Sequence, residues 1–390
     1  MSPLCESYVP ADAVNALEPF YPLHAWVCRE CFLVQVEKYV AAEHIFDEYA
    51  YFSSFSTSWL KHAEDYTQMI SERLGLGAGS LVVELASNDG YLLQYFVKRG
   101  IPALGIEPGA NVAKAAEERG VSTLVKYFDR ELGATLAAEG KSADLIIGNN
   151  VLAQVPDLNS FVAGIRALLK PTGTATLEFP HLQKLVDENQ FDTIYHEHFS
   201  YFSLVAVERI FAAHDMKIFD VEELWTHGGS LRIYACPAGD GSRPISRRVL
   251  DLRQREKDAG YLDLPRYARF EEQVRETKRK LLDLLIRAKR QGKRICGYGA
   301  PGKGNTLLNY CGIRCDFLDF TVDRNPYKQG KFLPGTHIPI FTPAKIDEVR
   351  PDYVFILPWN FKDEIMNQLA PIRQWGGQFI IPIPSAQIVP

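Results

Sequence analysis

Five short apolar runs between residues 81 and 179, each ending in a turn or a polar tip, alternate with stretches of helical period. Nothing else in the chain restricts its fold as much. Leu81–Leu85 reads as a buried strand, Asn88-Asp89-Gly90 as a tight turn, and Tyr91–Lys98 as the start of a helix. Strand Ala103–Ile106 closes at Glu107-Pro108-Gly109, and helix Ala110–Arg119 follows. The strands Ser122–Lys126, Asp144–Gly148 and Thr174–Phe179 complete the series, and an amphipathic helix from Trp59 to Leu76 precedes it. Such alternation predicts a mostly parallel, doubly wound α/β sheet. The pattern restarts at Arg294, with strands expected at 294–298, 317–322, 353–357 and 378–382. Four units are expected: an amino-terminal flap (1–57), a first α/β unit (58–240), a helical connector (241–291, with helices Ile245–Ala259 and Leu264–Arg290) and a smaller Rossmann-like unit (292–390).

Ligands of open α/β sheets bind beyond the carboxyl ends of the strands, where Glu84, Glu107, Asn149 and His181 fall. The turn ELASNDG lacks the glycines that let a pyrophosphate approach the backbone. Its acid, Glu84, repels phosphate and attracts a sulfonium or an amino group, which favours S-adenosylmethionine over NAD. The expected cofactor contacts are Glu84, Ala86, Asn88, Gly90 and Tyr91 around the first turn, and Glu107 and Pro108 at the second tip. Glu107 is placed to accept from ribose hydroxyls. Phe128 would flank an adenine, and Asn149, Asn150 and Gln154 follow the fourth strand.

The stretch FDTIYHEHFSYF sets Tyr195, His196, Glu197 and His198 side by side, a phenol, a carboxylate and two imidazoles that titrate near neutrality. Its bland counterpart is a polar turn with hydrogen-bonded histidines. Further on, His227-Gly228-Gly229 makes a turn whose amides suit an anion, with Arg232 able to grip it, although paired glycines also mark plain hairpins. In the last unit Gly297, Gly299 and Gly302 spell GxGxxG, with Asp323 at the end of the next strand. Lys303 at the helix start suits a phosphate, and Trp359 and Asn360 stand at another strand tip. A nucleotide diphosphate is preferred over NAD there, because too little chain remains for a full dinucleotide domain. His181 and His196 join the expected substrate contacts. Cys28 and Cys31 have the spacing of half a tetrahedral zinc site, with Cys5 and His24 the only spare ligands nearby; the alternative is a pair of reduced thiols in a small β-rich flap.

The net charge of −5 gives no electrostatic reason for a nucleic-acid or anionic-membrane partner. No window reaches the roughly 18 apolar residues of a membrane span, and the start lacks the pattern of a signal peptide. Seven cysteines, an odd count, point to a reducing cytoplasm.

The order of ELASNDG, GIEP, IYHEHF, HGGSLR, GYGAPGKG, VDRNP and LPWN resembles the S-adenosylmethionine-dependent sugar C-methyltransferases of deoxysugar biosynthesis, over nearly the whole chain. The resemblance implies a class I methyltransferase sheet, an amino-terminal zinc-binding segment and a Rossmann-like domain holding a nucleotide-linked sugar. It also implies methylation of carbon 3 or 5, next to the ketone of an NDP-4-keto-6-deoxyhexose, with thymidine diphosphate the expected carrier. The family's tyrosine, glutamate and second histidine fall on Tyr195, Glu197 and His198, the histidine as base; on chemical grounds Glu197 is expected to orient that ring and Tyr195 to donate to the enolate oxygen. A lid tyrosine falls on Tyr49 or Tyr51. Two positions depart from the family. No first CxxC precedes Cys28 and Cys31, which leaves zinc half-liganded, and Gln154 stands where members carry an active-site histidine, with His181 as a candidate substitute. The assembly expected is a monomer or homodimer. The alternatives are an NAD(P)-dependent oxidoreductase using the second glycine loop, or a nucleotide-binding protein without catalysis.

Overall fold

The computed structural model describes residues 1–41 and 52–390; the lid candidates Tyr49 and Tyr51 lie outside them. A short antiparallel hairpin, β1 (Ala25–Val27) and β2 (Val34–Val36), opens the chain. The alternating region then forms β3 (Val82–Leu85), β4 (Ala103–Ile106), β5 (Thr123–Leu124), β6 (Ala143–Asn149) and β7 (Leu169–Pro180). After β8 (Ser200–Tyr201) come β9 (Met216–Leu224) and β10 (Ser230–Pro237). Seven of these make one sheet in the order β5-β4-β3-β6-β7-β10-β9. All run parallel except β10, which inserts antiparallel between β7 and β9. This is the doubly wound class I methyltransferase sheet that the sequence led one to expect.

Both faces of that sheet are apolar, as period-2 alternation between two cores requires. Val82, Leu145 and Ile147 pack with Ala63, Tyr66 and Ile70 of the helix Thr57–Leu74. Their neighbours Val83, Leu85 and Ile146 turn to the opposite core with Phe161, Val162 and Ile165. The helix Thr57–Leu74 starts at Ser56, whose hydroxyl accepts from Trp59 N at 3.3 Å, and stops at Gly75 in the left-handed region. On the far face the helices Arg130–Ala138 and Leu158–Leu168 cross at two glycines. A Cβ on Gly133 would stand 2.5 Å from Gly164 O, and backbone cannot yield as a flexible side chain would. Gly133→Ala should therefore destabilise by about 1–3 kcal/mol, read as a lowered urea midpoint; an unchanged midpoint would show that the crossing is loose.

The second sheet contains β11 (Ile295–Tyr298), β12 (Thr321–Val322), β13 (Ile340–Phe341), β14 (Tyr353–Ile356), β15 (Gln378–Ile381) and β16 (Gln387–Val389). Its order is β13-β12-β11-β14-β15-β16, parallel except for β16. Two strands were not expected, β13 and β16. They are two and three residues long beside prolines, too short to show a period. The helices Arg247–Asp258 and Leu264–Arg290 join the units: Val249 and Leu252 enter the first core, while Leu281, Leu285 and Ala288 enter the second. No described helix is long and apolar enough to cross a membrane.

The amino-terminal segment is bound to both units rather than lying apart as a flap. Strand β2 pairs with β8, Val34 opposite Tyr201 and Gln35 opposite Ser200. Val9 and Phe332 exchange backbone hydrogen bonds at 3.0 and 2.8 Å, and Glu18 accepts from Gly335 N and His337 Nε2. Residues 1–36 thus fasten the YHEH stretch on one side and the second sheet on the other.

Candidate active site

The turn after β3 is built from residues that hold left-handed backbone without being glycine, Ala86 at φ 55° and Asn88 at φ 49°. Such residues cost of order 1–3 kcal/mol each and persist only where their surroundings over-determine them. Here Glu107 does so, accepting from Asn88 N at 2.9 Å and Gly109 N at 2.8 Å. Burial raises the Glu107 carboxyl, and these two amides offset part of that rise. Beside the turn opens a cleft of about 790 Å³, lined by Ala86, Asn88, Tyr91, Glu107 and Pro108. Phe128, Asn149, Asn150 and Gln154 continue its wall.

The Asn149 amide is closed to solvent with only the Tyr91 hydroxyl beside it, and Asn150 Oδ1 is closed to solvent without a partner. Buried polar groups in that state call for a ligand. A carboxylate with lone pairs to spare, an unsatisfied amide and the Phe128 ring suit the ribose and base of S-adenosylmethionine, so these residues fit the cofactor. Two expected contacts do not reach the cleft. Glu84 is 1% exposed and lies beneath the turn, and Gly90 serves helix packing, since a Cβ there would meet Ala116 and Val121 at 3.1 Å.

The YHEH stretch begins with a 3₁₀ turn at Phe191–Thr193 and ends in β8, so its four side chains diverge. Tyr195 and Glu197 line the cleft, while His198 packs behind Tyr195 with ring centres 4.2 Å apart. His198 Nδ1 donates to Thr193 O at 3.1 Å, which leaves Nε2 as the basic nitrogen. Burial lowers His198 to about 4; the Thr193 carbonyl opposes this, and His227 and Lys303 push it further down. Glu197 does not orient that ring, as had been expected. It turns to the amino-terminal segment, where Oε1 accepts from Cys5 Sγ at 3.2 Å. Burial raises Glu197 to about 7, helped by the charge of Glu6. His196 leaves the site altogether, its Nε2 donating to Pro22 O at 2.9 Å.

Of the remaining expected substrate contacts, His227, Lys303 and Asn360 line the cleft. Arg232 does not. It is an internal counter-ion, 3.0 Å from Glu178 and 3.1 Å from Glu222, stacked on Tyr66. His181, 2% exposed, binds Glu256 at 2.7 Å, so it supplies no proton carrier in place of the Gln154 position. Gly228 and Gly229 make room for Trp359 and Lys184, and Gly299 for Pro358, while the amides of Gly229 and Gly299 are spent on Thr226 O and Val322 O. Trp359 is a core residue that donates to Asp192 at 2.7 Å.

Three residues that sequence reasoning passed over, Leu4, Glu6 and Ser7, also line the cleft, and so does Lys328. MSPLCESYVP has neither period nor motif, so nothing local marked it. The same segment stoppers the second glycine loop. A Cβ on Gly302 would stand 2.8 Å from Cys5 Sγ, Asn305 Nδ2 donates to Cys5 O at 2.6 Å, and Asp323 caps Ala300 N at 2.6 Å. Where a dinucleotide would place its pyrophosphate, this protein places its own residues.

Three family models match the chain. One described as "Putative zinc binding domain" covers residues 1–46, a "Methyltransferase domain" covers 59–221, and a "C-methyltransferase C-terminal domain" covers 225–384. The C-methyltransferase NovU of Streptomyces niveus is 35% identical over 95% of this chain and 88% of its own length. Among solved structures, an S-adenosylmethionine-dependent methyltransferase of Clostridium acetobutylicum is 12% identical at a TM-score of 0.37, covering 46% of this chain and 92% of that one. The magnesium protoporphyrin IX methyltransferase of Synechocystis, solved with bound S-adenosylmethionine, is 13% identical at a TM-score of 0.35, covering 45% of this chain and 78% of that one. As to zinc, backbone amides of Cys31 and Glu30 lower the Cys28 thiol, as a metal-binding knuckle would. Among the described residues, however, no third thiol, imidazole or carboxylate joins Cys28 and Cys31, so the donors present do not complete a site.

Proposed function

This chain belongs to the S-adenosylmethionine-dependent C-methyltransferases, and we propose that it methylates the carbon beside the ketone of an NDP-4-keto-6-deoxyhexose, through an enolate. One observation carries the reading: a single cleft is walled by the cofactor turn and by Tyr195 and Glu197 of the YHEH stretch. Bound S-adenosylmethionine supplies an electrophilic methyl group on a sulfonium. The protein's part is to make a carbon nucleophile beside it and hold the two as a near-attack pair.

His198 is the base of this reading. Its Nδ1–H is committed to Thr193, so Nε2 is the nitrogen left to take the carbon-bound proton as the C–H electron pair moves into the enolate, which requires substrate to reach past Tyr195 from the cleft. Its ring is neutral at pH 7 because burial holds it low. The same burial makes it a weak base, so most of the barrier must be lowered at the enolate oxygen. Tyr195, packed against His198 at the cleft wall, is the hydroxyl donor for that oxygen.

A second reading exchanges base and neighbour, because Glu197 lines the cleft directly and sits at about 7. The pH profile of kcat separates them. A base must be unprotonated, so His198 predicts a plateau from about 4 upward, whereas Glu197 predicts a rate that rises through about 7. The proposal as a whole is tested with labelled S-adenosylmethionine and a panel of 4-keto nucleotide sugars, products read by mass. Carbon-bound label in one sugar is the expected result; transfer to none of them would end the reading.

A further inference from the structure

A buried imidazole of low basicity removes a carbon-bound proton only if the oxygen gaining charge meets a strong electrostatic partner. Lys303, in the first turn of the helix Gly302–Cys311, lines the cleft with Tyr195, Glu197 and His227. Its Nζ donates to Asn360 Oδ1 at 3.0 Å and lies 4.7 Å from the centre of the Trp359 ring. Among the described residues no carboxylate lies within 4.0 Å of it, whereas Lys328 on the same wall pairs with Glu6 at 3.5 Å. Asp192, the acid that acts on it electrostatically, is itself bound by Trp359 Nε1. Burial lowers the Lys303 ammonium, and Asp192 offsets only part of that. A desolvated cation whose acid partner, Asp192, stands beyond ion-pair distance, facing a cleft, is short of negative charge.

Two features place this charge on the reacting side of the cleft. Lys303 acts on both His198 and His227 and helps to hold each neutral, so it lies in their electrostatic reach. His227 adds an orphan of its own: Nε2 is closed to solvent and meets no partner. Its backbone is left-handed at φ 54°, and the loop is pinned by Thr226 donating to Glu178 and Gln190 donating to Gly228 O, each at 2.7 Å. A strained loop that carries an unsatisfied imidazole into a cleft is built for a ligand.

We propose that Lys303 is a catalytic residue whose ammonium receives the substrate's ketone oxygen and stabilises the enolate formed there, with the Tyr195 hydroxyl and His227 as the other polar groups of that pocket. This rests on the enolate reading above. As the proton passes to His198, the C–H pair becomes the carbon–carbon double bond and the carbonyl π pair moves onto the oxygen beside Lys303. No oxidant or reductant takes part. The rival role is a phosphate ligand.

The test uses full-length protein, thymidine diphosphate alone, and thymidine-diphospho-4-keto-6-deoxyglucose in deuterium oxide without S-adenosylmethionine. In Lys303→Met, thymidine diphosphate and S-adenosylmethionine should bind as in the wild type. Exchange of the hydrogen beside the ketone should fall by about 10²–10³-fold, the usual cost of one oxyanion donor. Lys303→Arg should retain part of the rate, and methylamine added to Lys303→Ala should restore part of it, which a structural role would not allow. The proposal is overturned if thymidine diphosphate affinity falls while exchange at saturating substrate is unchanged, or if methylamine fails to rescue a variant that still binds S-adenosylmethionine. Wild-type protein that neither exchanges nor methylates any 4-keto nucleotide sugar would overturn the enolate reading and Lys303's role with it.

Discussion

His198→Ala lowers kcat by roughly 10²–10⁴-fold, the usual worth of general acid–base help, while S-adenosylmethionine binds as before. The separation follows from position. His198 packs behind Tyr195, and the residues fitted to the cofactor belong to the turns after β3, β4 and β6, on other elements of the sheet. Alanine removes the Nε2 lone pair and also the ring against which Tyr195 packs, so the acceptor and the positioned hydroxyl fail together. His198→Gln keeps volume at that face without a titrating nitrogen, and it should be nearly as inactive. Single-turnover methyl transfer and a separate cofactor titration measure the two quantities. Unchanged turnover in both variants would remove His198 from the chemistry and leave Glu197 as the base.

Glu178→Ala should destabilise the fold by about 3–5 kcal/mol, the cost of stranding a buried partner charge. Glu178 on β7 stands directly opposite Arg232 on β10. It accepts from Arg232 and from His62 at 3.0 Å, and from Thr226 at 2.7 Å. Burial by itself would raise Glu178, but the His62 hydrogen bond and the Arg232 charge outweigh it and hold the carboxyl at about 2. The sign of the pH effect follows. Because the folded value is depressed, its contribution is whole above the ordinary 4.5 and is lost as pH falls through about 2. The gap between wild type and variant in urea midpoint should therefore narrow in acid across that window. Glu178→Met with Arg232→Met removes both charges and should recover much of the loss, as apolar replacements of buried pairs do. A single variant losing under about 1 kcal/mol, the value of a surface pair, would show that Arg232 is satisfied without it.

Much of the fold was legible because its causes are local. Leu81–Leu85 and Asp144–Gly148 announce strands covered on both faces, and the helices of the connector show their stripe, since period 2 and period 3.6 are written residue by residue. The cleft wall was legible for the same reason: a strand's carboxyl end is known once the strand is, which put Glu107, Asn149 and Asn150 on it. The commitments of individual polar side chains were not. His181 and Arg232 read as ligand contacts until Glu256 and Glu178 claimed them, from 75 and 54 residues away. The GxGxxG pattern read as a nucleotide loop until Cys5, 300 residues from Asn305 in sequence, filled its crevice.

By itself, then, the amino-acid order determined two mostly parallel sheets, a first turn without the glycines of a dinucleotide loop, and a tyrosine, a glutamate and a histidine kept together by adjacency. Tertiary structure alone decided what each of those three faces: Tyr195 and Glu197 the cleft, His198 the back of Tyr195, with Glu197 met by a thiol 192 residues away. The physical reason is range. Periodicity records which side of an element is dry, whereas a buried polar group's partner is chosen by whatever the completed fold brings within hydrogen-bond reach, and that information is spread over the whole chain.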